Sequence, residues 1–116
     1  MRLESQIHDG VAVLHLKGRF VIGSDAEFVA ARNHLEELGI AKAVLDLGAV
    51  PYIDSTGLAF VVDLHKSLAA RGGQLFLADA NARVREVLEM TRIGDVIPLF
   101  GDVEEAEAAL RGEVLC

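Results

Sequence analysis

Two short apolar runs set the limits on what this chain can fold into. Residues 43–47 (Ala-Val-Leu-Asp-Leu) and 74–78 (Gln-Leu-Phe-Leu-Ala) are too brief for helices and read as strands covered on both faces. Between them Leu58, Val61, Val62, His65, Leu68 and Ala69 recur at helical spacing, beginning near Ser55, until Gly72-Gly73 stops the pattern. A strand, a helix and a strand in that order imply parallel neighbours joined by a right-handed crossover.

The rest of the chain extends this unit. Residues 2–8 alternate, with Leu3 and Ile7 on one face and Glu4, Gln6 and His8 on the other. Asp9-Gly10 is a two-residue hairpin turn, and residues 11–17 return with Ala12, Leu14 and Leu16 facing in. Ser24 and Glu27 form a capping box for a first helix carrying Phe28, Ala31, Leu35 and Leu38, with Gly39 as its stop. Asn81 caps a third helix with Val84, Val87, Leu88 and Thr91. Residues 96–100 are a candidate last strand, and Asp102 and Glu105 cap a fourth helix with Val103, Ala106, Ala109 and Leu110. The expectation is an α/β fold of order ββαβαβαβα. It has a mixed four- to five-stranded sheet, antiparallel at its first hairpin, and about four helices packed mainly on one face. With 116 residues, 52% of them hydrophobic, one core and one domain over 1–116 are expected.

Charge narrows the function. Eighteen acidic residues against eleven basic ones leave a net charge of −7, and one Tyr and no Trp accompany them. Such a chain is a poor ligand for nucleic acid backbones. The single cysteine, Cys116, permits no internal disulfide and fits a reducing compartment. No apolar run approaches the roughly 18–20 residues of a membrane helix, and Met1-Arg2-Leu3-Glu4-Ser5 leads into no signal-type apolar region. A soluble, cytoplasmic protein without membrane insertion is expected.

Several chemical motifs fail on inspection. Gly18 and Gly23 have P-loop spacing, but Ser24 stands where a lysine must reach the phosphates. Ser55 has Gly57 two residues after it but Ile53 two before, which is half of a nucleophile elbow, and His65 is nearly three helical turns away. His8, His15, His34 and His65 lie on different elements without metal-ligand spacing. No enzyme activity, cofactor or metal is expected.

What remains is Val50-Pro51-Tyr52-Ile53-Asp54-Ser55-Thr56-Gly57-Leu58, between a buried strand and a helix. Ser55 is positioned as the N-cap of that helix, its hydroxyl satisfying a first-turn N–H. A phosphoryl group on the same hydroxyl would sit at the positive end of the helix. It would add a charge of about −1.5 to −2 to a face already holding Asp54. Such a site switches binding without a large conformational change.

The stretch from Ala43 to Leu58, Ala-Val-Leu-Asp-Leu-Gly-Ala-Val-Pro-Tyr-Ile-Asp-Ser-Thr-Gly-Leu, resembles the core motif of STAS domains. It is most similar to that of stand-alone bacterial anti-sigma factor antagonists, and the likeness continues through Gly72-Gly73-Gln74-Leu75 and Leu88-Glu89-Met90-Thr91. The resemblance implies that Ser55 is a phosphoacceptor, with Asp54, Thr56, Gly57, Ser24 and Asp25 as partner contacts around it. It implies an anti-sigma factor that is also a serine kinase as partner, supplying ATP and magnesium. That kinase would be bound by the unphosphorylated chain, freeing a sigma factor, and released once Ser55 is phosphorylated. A separate phosphatase would reset the cycle, and the chain would be a monomer. Two positions depart from the commonest pattern: Arg19-Phe20-Val21 follows Gly18 where Gly-Glu-x-Asp is frequent, and Arg92 stands where a glycine often follows the threonine. The alternative is a STAS scaffold or transporter accessory that does not cycle phosphate. A third reading, a small enzyme or nucleotide-binding protein, lacks its lysine and its base.

Overall fold

The structure, a computed structural model, describes residues 2–18 and 25–112. In chain order the elements are β1 (Arg2–His8), β2 (Val11–Lys17), α1 (Asp25–Glu37), β3 (Lys42–Ala49), α2 (Ser55–Ala70), β4 (Gln74–Ala78), α3 (Ala82–Met90), a 3-10 turn (Ile93–Asp95), β5 (Leu99–Phe100) and α4 (Val103–Leu110). The five strands form one sheet in sequence order, β1-β2-β3-β4-β5. β1 and β2 are antiparallel, and every later pair is parallel. The mixed α/β sheet expected from the sequence is therefore present.

Local chemistry accounts for the turns. Asp9 and Gly10, at φ 53° and 79°, take the two left-handed positions of the β1–β2 hairpin. At the end of α2, Gly73 donates its N–H to Leu68 O at 2.8 Å, and the neighbouring Gln74 donates to Ala41 O at 2.9 Å. A Cβ on Gly73 would lie 1.7 Å from that same Ala41 oxygen, so this crossover admits only glycine. Ser24 of the expected capping box lies outside the described residues.

Three helices share one face of the sheet. Phe28 and Leu35 of α1, Val61, Leu64 and Leu68 of α2, and Val84 and Leu88 of α3 close over Leu14, Leu16, Leu45, Leu47, Leu75 and Leu77. The buried stripe of α2 thus runs Gly57, Val61, Leu64, Leu68. The sequence stripe omitted Leu64, which is fully buried, and included Ala69, which is exposed. Among the described residues the helix on the opposite face is α4, with Ala106 and Leu110 against Val11, Val13, Val44 and Phe76. β2 consequently buries both of its faces, beyond the inward set Ala12, Leu14 and Leu16. The last strand is shorter than residues 96–100: only Leu99 and Phe100 pair, while Ile97 is buried and Pro98 O accepts from Leu77 N–H.

Candidate functional site

In a parallel sheet with helical crossovers, the ends of the strands and the starts of the following helices gather on one edge. Here β3 leads through residues 50–54 into α2, and β4 leads through residues 79–81 into α3. The first of these loops is anchored by Val50 and Ile53, both buried, and its turn closes with Val50 N–H on Leu47 O at 3.0 Å. Asn81 ties the two loops together. Its Oδ1 accepts from Val84 N–H at 2.8 Å, capping α3, while its Nδ2 donates to Val50 O at 3.2 Å and Pro51 O at 3.3 Å. The Arg83 guanidinium stands 5.6 Å from the centre of the Tyr52 ring, a second link between the loops.

The start of α2 differs from the sequence expectation in one respect that matters. Its N-cap is Asp54, not Ser55. Asp54 has extended backbone, its Oδ1 accepts from Gly57 N–H at 2.9 Å, and its carbonyl accepts from Leu58 N–H at 2.9 Å. Ser55 is instead the first helical residue, exposed, with its hydroxyl making no hydrogen bond among the described residues. The carboxylate does the capping because it precedes the helix by one residue; a side chain already inside the first turn does not fold back onto the N–H three residues on.

The other expected site residues divide between the two flanks of α2. Gly57 is buried beneath the helix start. Thr56 is half-buried and turned towards α1, where it lines a recess of about 280 Å³ with Phe28, Val29 and Phe60. Ser55 opens on the other flank, into a groove of about 530 Å³ that it shares with Leu58, Val62, Thr91 and Ile93. Asp25 begins α1; its side chain, and Ser24 as a whole, lie outside the described residues. Arg32 of α1 pairs with Asp63 of α2, and Ser67 Oγ donates to Glu36 at 3.0 Å, which holds the two helices side by side.

The histidines do not converge. His15 Nδ1 lies 2.6 Å from Asp46 Oδ2, and its Nε2 lies 3.4 Å from Gln6 Oε1. His8 is 3.8 Å from Glu107, and His65 is half-buried on α2. Among the described residues no group of three or more His, Cys, Asp or Glu side chains is placed to hold a metal. The ten residues between Ser55 and His65 amount to about 15 Å of helix, so this histidine is no base for that hydroxyl. No described helix is long and apolar enough to cross a membrane. The double tie of Asn81 to Val50 and Pro51 was not foreseen; the sequence signals the cap, but the carbonyls it reaches lie thirty residues away.

Comparison with known proteins agrees with this architecture. The model of the STAS domain matches residues 2–106. Over 112 residues the chain is 33% identical to BtrV of Bordetella bronchiseptica, provisionally named an anti-sigma factor antagonist, covering 96% of each chain. It is 34% identical over 98 residues to the anti-sigma-B factor antagonist of Listeria monocytogenes, covering 80% of this chain and 82% of that one. The structure of the anti-sigma factor antagonist SpoIIAA in its unphosphorylated form superposes with a TM-score of 0.85 at 18% identity, over 98% of this chain and all of SpoIIAA. A family match over nearly the whole length, on a sheet and helices of the expected order, makes this chain a member of the STAS domain family.

Proposed function

We propose that the chain is an anti-sigma factor antagonist whose binding is switched by phosphorylation of Ser55. The observation that carries this reading is the division of labour at the start of α2: Asp54 caps the helix, and Ser55 is exposed, its hydroxyl making no hydrogen bond among the described residues. The names of the related proteins support the antagonist role. In this reading the unphosphorylated chain acts in the cytoplasm as a monomer and a single domain spanning 1–116. It binds an anti-sigma factor that is a serine kinase, and a sigma factor is freed. Asp54, Thr56, Gly57, Ser24 and Asp25 form the contact surface around the acceptor.

The covalent step balances without a group of the chain's own beyond Ser55. Its Oγ bonds to the γ-phosphorus of kinase-held ATP, the bond from that phosphorus to the β–γ bridging oxygen breaks, and ADP leaves. The hydroxyl proton passes to a base on the kinase. The product carries a charge of about −1.5 to −2 at pH 7. The first-turn N–H groups and the helix dipole offset part of it, so the fold tolerates the anion. The partner surface does not, because the new charge stands beside the Asp54 carboxylate in a position that docking would desolvate. A phosphatase restores the serine by hydrolysis.

The test is intact-mass measurement with site mapping on protein recovered from its own cells. A species heavier by about 80 Da, one phosphoryl group, mapped to Ser55 supports the switch. Protein that stays unmodified through growth and stress, and keeps its partner, points to the phosphate-independent scaffold instead.

A further inference from the structure

The sheet ends in two strands of different kind. β5 is two residues long, Leu99–Phe100, and offers a neighbour almost no edge. β1 is seven residues long and, among the described residues, pairs with β2 alone. Native edges are commonly blunted by shortness, proline, a bulge or lysine. β5 uses the first of these devices. β1, Arg-Leu-Glu-Ser-Gln-Ile-His, has none of them, and its ladder with β2 runs without a register shift.

The hairpin decides which backbone groups this edge presents. In a two-residue hairpin the pair that flanks the turn, here His8 and Val11, exchanges both of its hydrogen bonds. Alternation from that pair commits His8, Gln6, Glu4 and Arg2 to β2. It directs the N–H and C=O groups of Ile7, Ser5 and Leu3 outwards, away from the sheet. These three residues also share a side-chain face, since they stand opposite Ala12, Leu14 and Leu16, on the side that carries α1, α2 and α3. Leu3 packs at the margin of that core, whereas Ile7 is 41% exposed.

This edge is self-complementary about Ser5. An antiparallel second copy centred there sets Ser5 against Ser5 and Leu3 against Ile7. The three outward N–H and three outward C=O groups of each strand are then all paired. A centre at Glu4 or at Gln6 leaves Ile7 or Leu3 without its counterpart in β1, and the former also sets Glu4 against Glu4. With the centre at Ser5, Leu3 covers part of the apolar surface that Ile7 exposes, and the apolar face continues across the junction. Charge does not oppose this alignment locally. The chain carries −7 overall, but β1 holds one arginine and one glutamate; Glu4 faces Gln6 of the second copy and is paired with Lys17 of its own chain at 3.6 Å.

We infer that β1 is a self-pairing edge, through which two copies of this chain join antiparallel about Ser5 into one continuous sheet. The inference goes beyond the Ser55 switch and does not depend on it. β1 lies two strands from β3, so the second copy sits on the side away from the start of α2. The monomer that meets an anti-sigma factor exchanges with this pair as the concentration changes.

The experiment is sedimentation equilibrium of the full chain from about 10 µM to about 1 mM, in about 0.3 M salt to screen the net charge of each copy. The mass is expected to rise from 12.4 kDa towards twice that value. Hydrogen exchange at the two ends of the range locates the contact. The amides of Leu3, Ser5 and Ile7 gain protection with concentration, while those of Glu4 and Gln6, already bonded to β2, change little. Ser5→Pro removes the central outward N–H and leaves the β1–β2 ladder intact, and it should weaken association at least about tenfold. Ile7→Lys, at an exposed position, should do the same by placing a charge on the edge; a dispersed amide spectrum verifies that each variant folds. A chain that stays at 12.4 kDa throughout, a pair whose Leu3, Ser5 and Ile7 amides stay unprotected, or one that survives both substitutions overturns the inference. Protection of these three amides only when an anti-sigma factor is added overturns it as well, and gives the edge to a strand of that protein.

Discussion

The two neighbouring crossovers of this sheet, β3 into α2 and β4 into α3, solve the same problem and differ by one group. Both helices begin after a residue with extended backbone whose side chain accepts the N–H three positions on: Asp54 from Gly57 at 2.9 Å, and Asn81 from Val84 at 2.8 Å. Both caps satisfy one of the first-turn donors that a helix leaves unpaired. The next residue is Ala82 in α3 and Ser55 in α2. At the start of α3, alanine at the first helical position leaves the Asn81 cap in place, so capping there needs no hydroxyl at that position. The capping atoms differ too. Asn81 is neutral and spends its amide N–H groups on Val50 and Pro51, whereas Asp54 places a carboxylate at the helix start. One crossover is capped by a neutral amide, and the other by a carboxyl group with an exposed serine next to it.

This contrast is open to attack, beginning with the largest effect. Ser55→Asp is expected to weaken binding of the anti-sigma factor by more than about tenfold, measured by titration calorimetry, while Ala82→Asp leaves it unchanged. Loss of binding in both would mean that any charge on this edge disrupts the partner, and Ser55 would lose its special place. Asn81→Ala removes a cap and strips two loop carbonyls of a donor, so it should destabilise by about 2 kcal/mol in denaturant unfolding. Asp54→Ala removes the cap alone and should cost about 1 kcal/mol by the same measurement. Ser55→Ala should fall within about 0.5 kcal/mol of the parent and should bind the partner constitutively. A loss near that of Asp54→Ala would return the capping role to the serine.

That reassignment also shows what the sequence made readable and what it did not. Where one capping side chain stands alone before a helical stripe, as with Asn81 and Asp102, the cap is legible, and both side chains accept the expected N–H. Asp54 and Ser55 are adjacent, and both belong to residue types that cap. Spacing cannot choose between them; the backbone conformation at Asp54 does. The hairpin and the inner strands were readable because their turn chemistry and apolar runs are local. The cover on the second face was harder to see. Its contacts come from alanines, one valine and one leucine on an eight-residue helix, a faint stripe whose meaning depends on Val11, Val13, Val44 and Phe76 lying beneath it. The pairing of Asn81 with the neighbouring loop and the hollow between α2 and Ile93 likewise arise only when distant segments meet.

The central claim is that Ser55 serves the partner and not the fold. Thermal unfolding and partner binding measured side by side on the parent and Ser55→Asp test it most directly. The account predicts a midpoint within about 2 °C of the parent together with strongly weakened binding. A variant that melts well below the parent, or one that binds the anti-sigma factor as tightly as the parent, contradicts it.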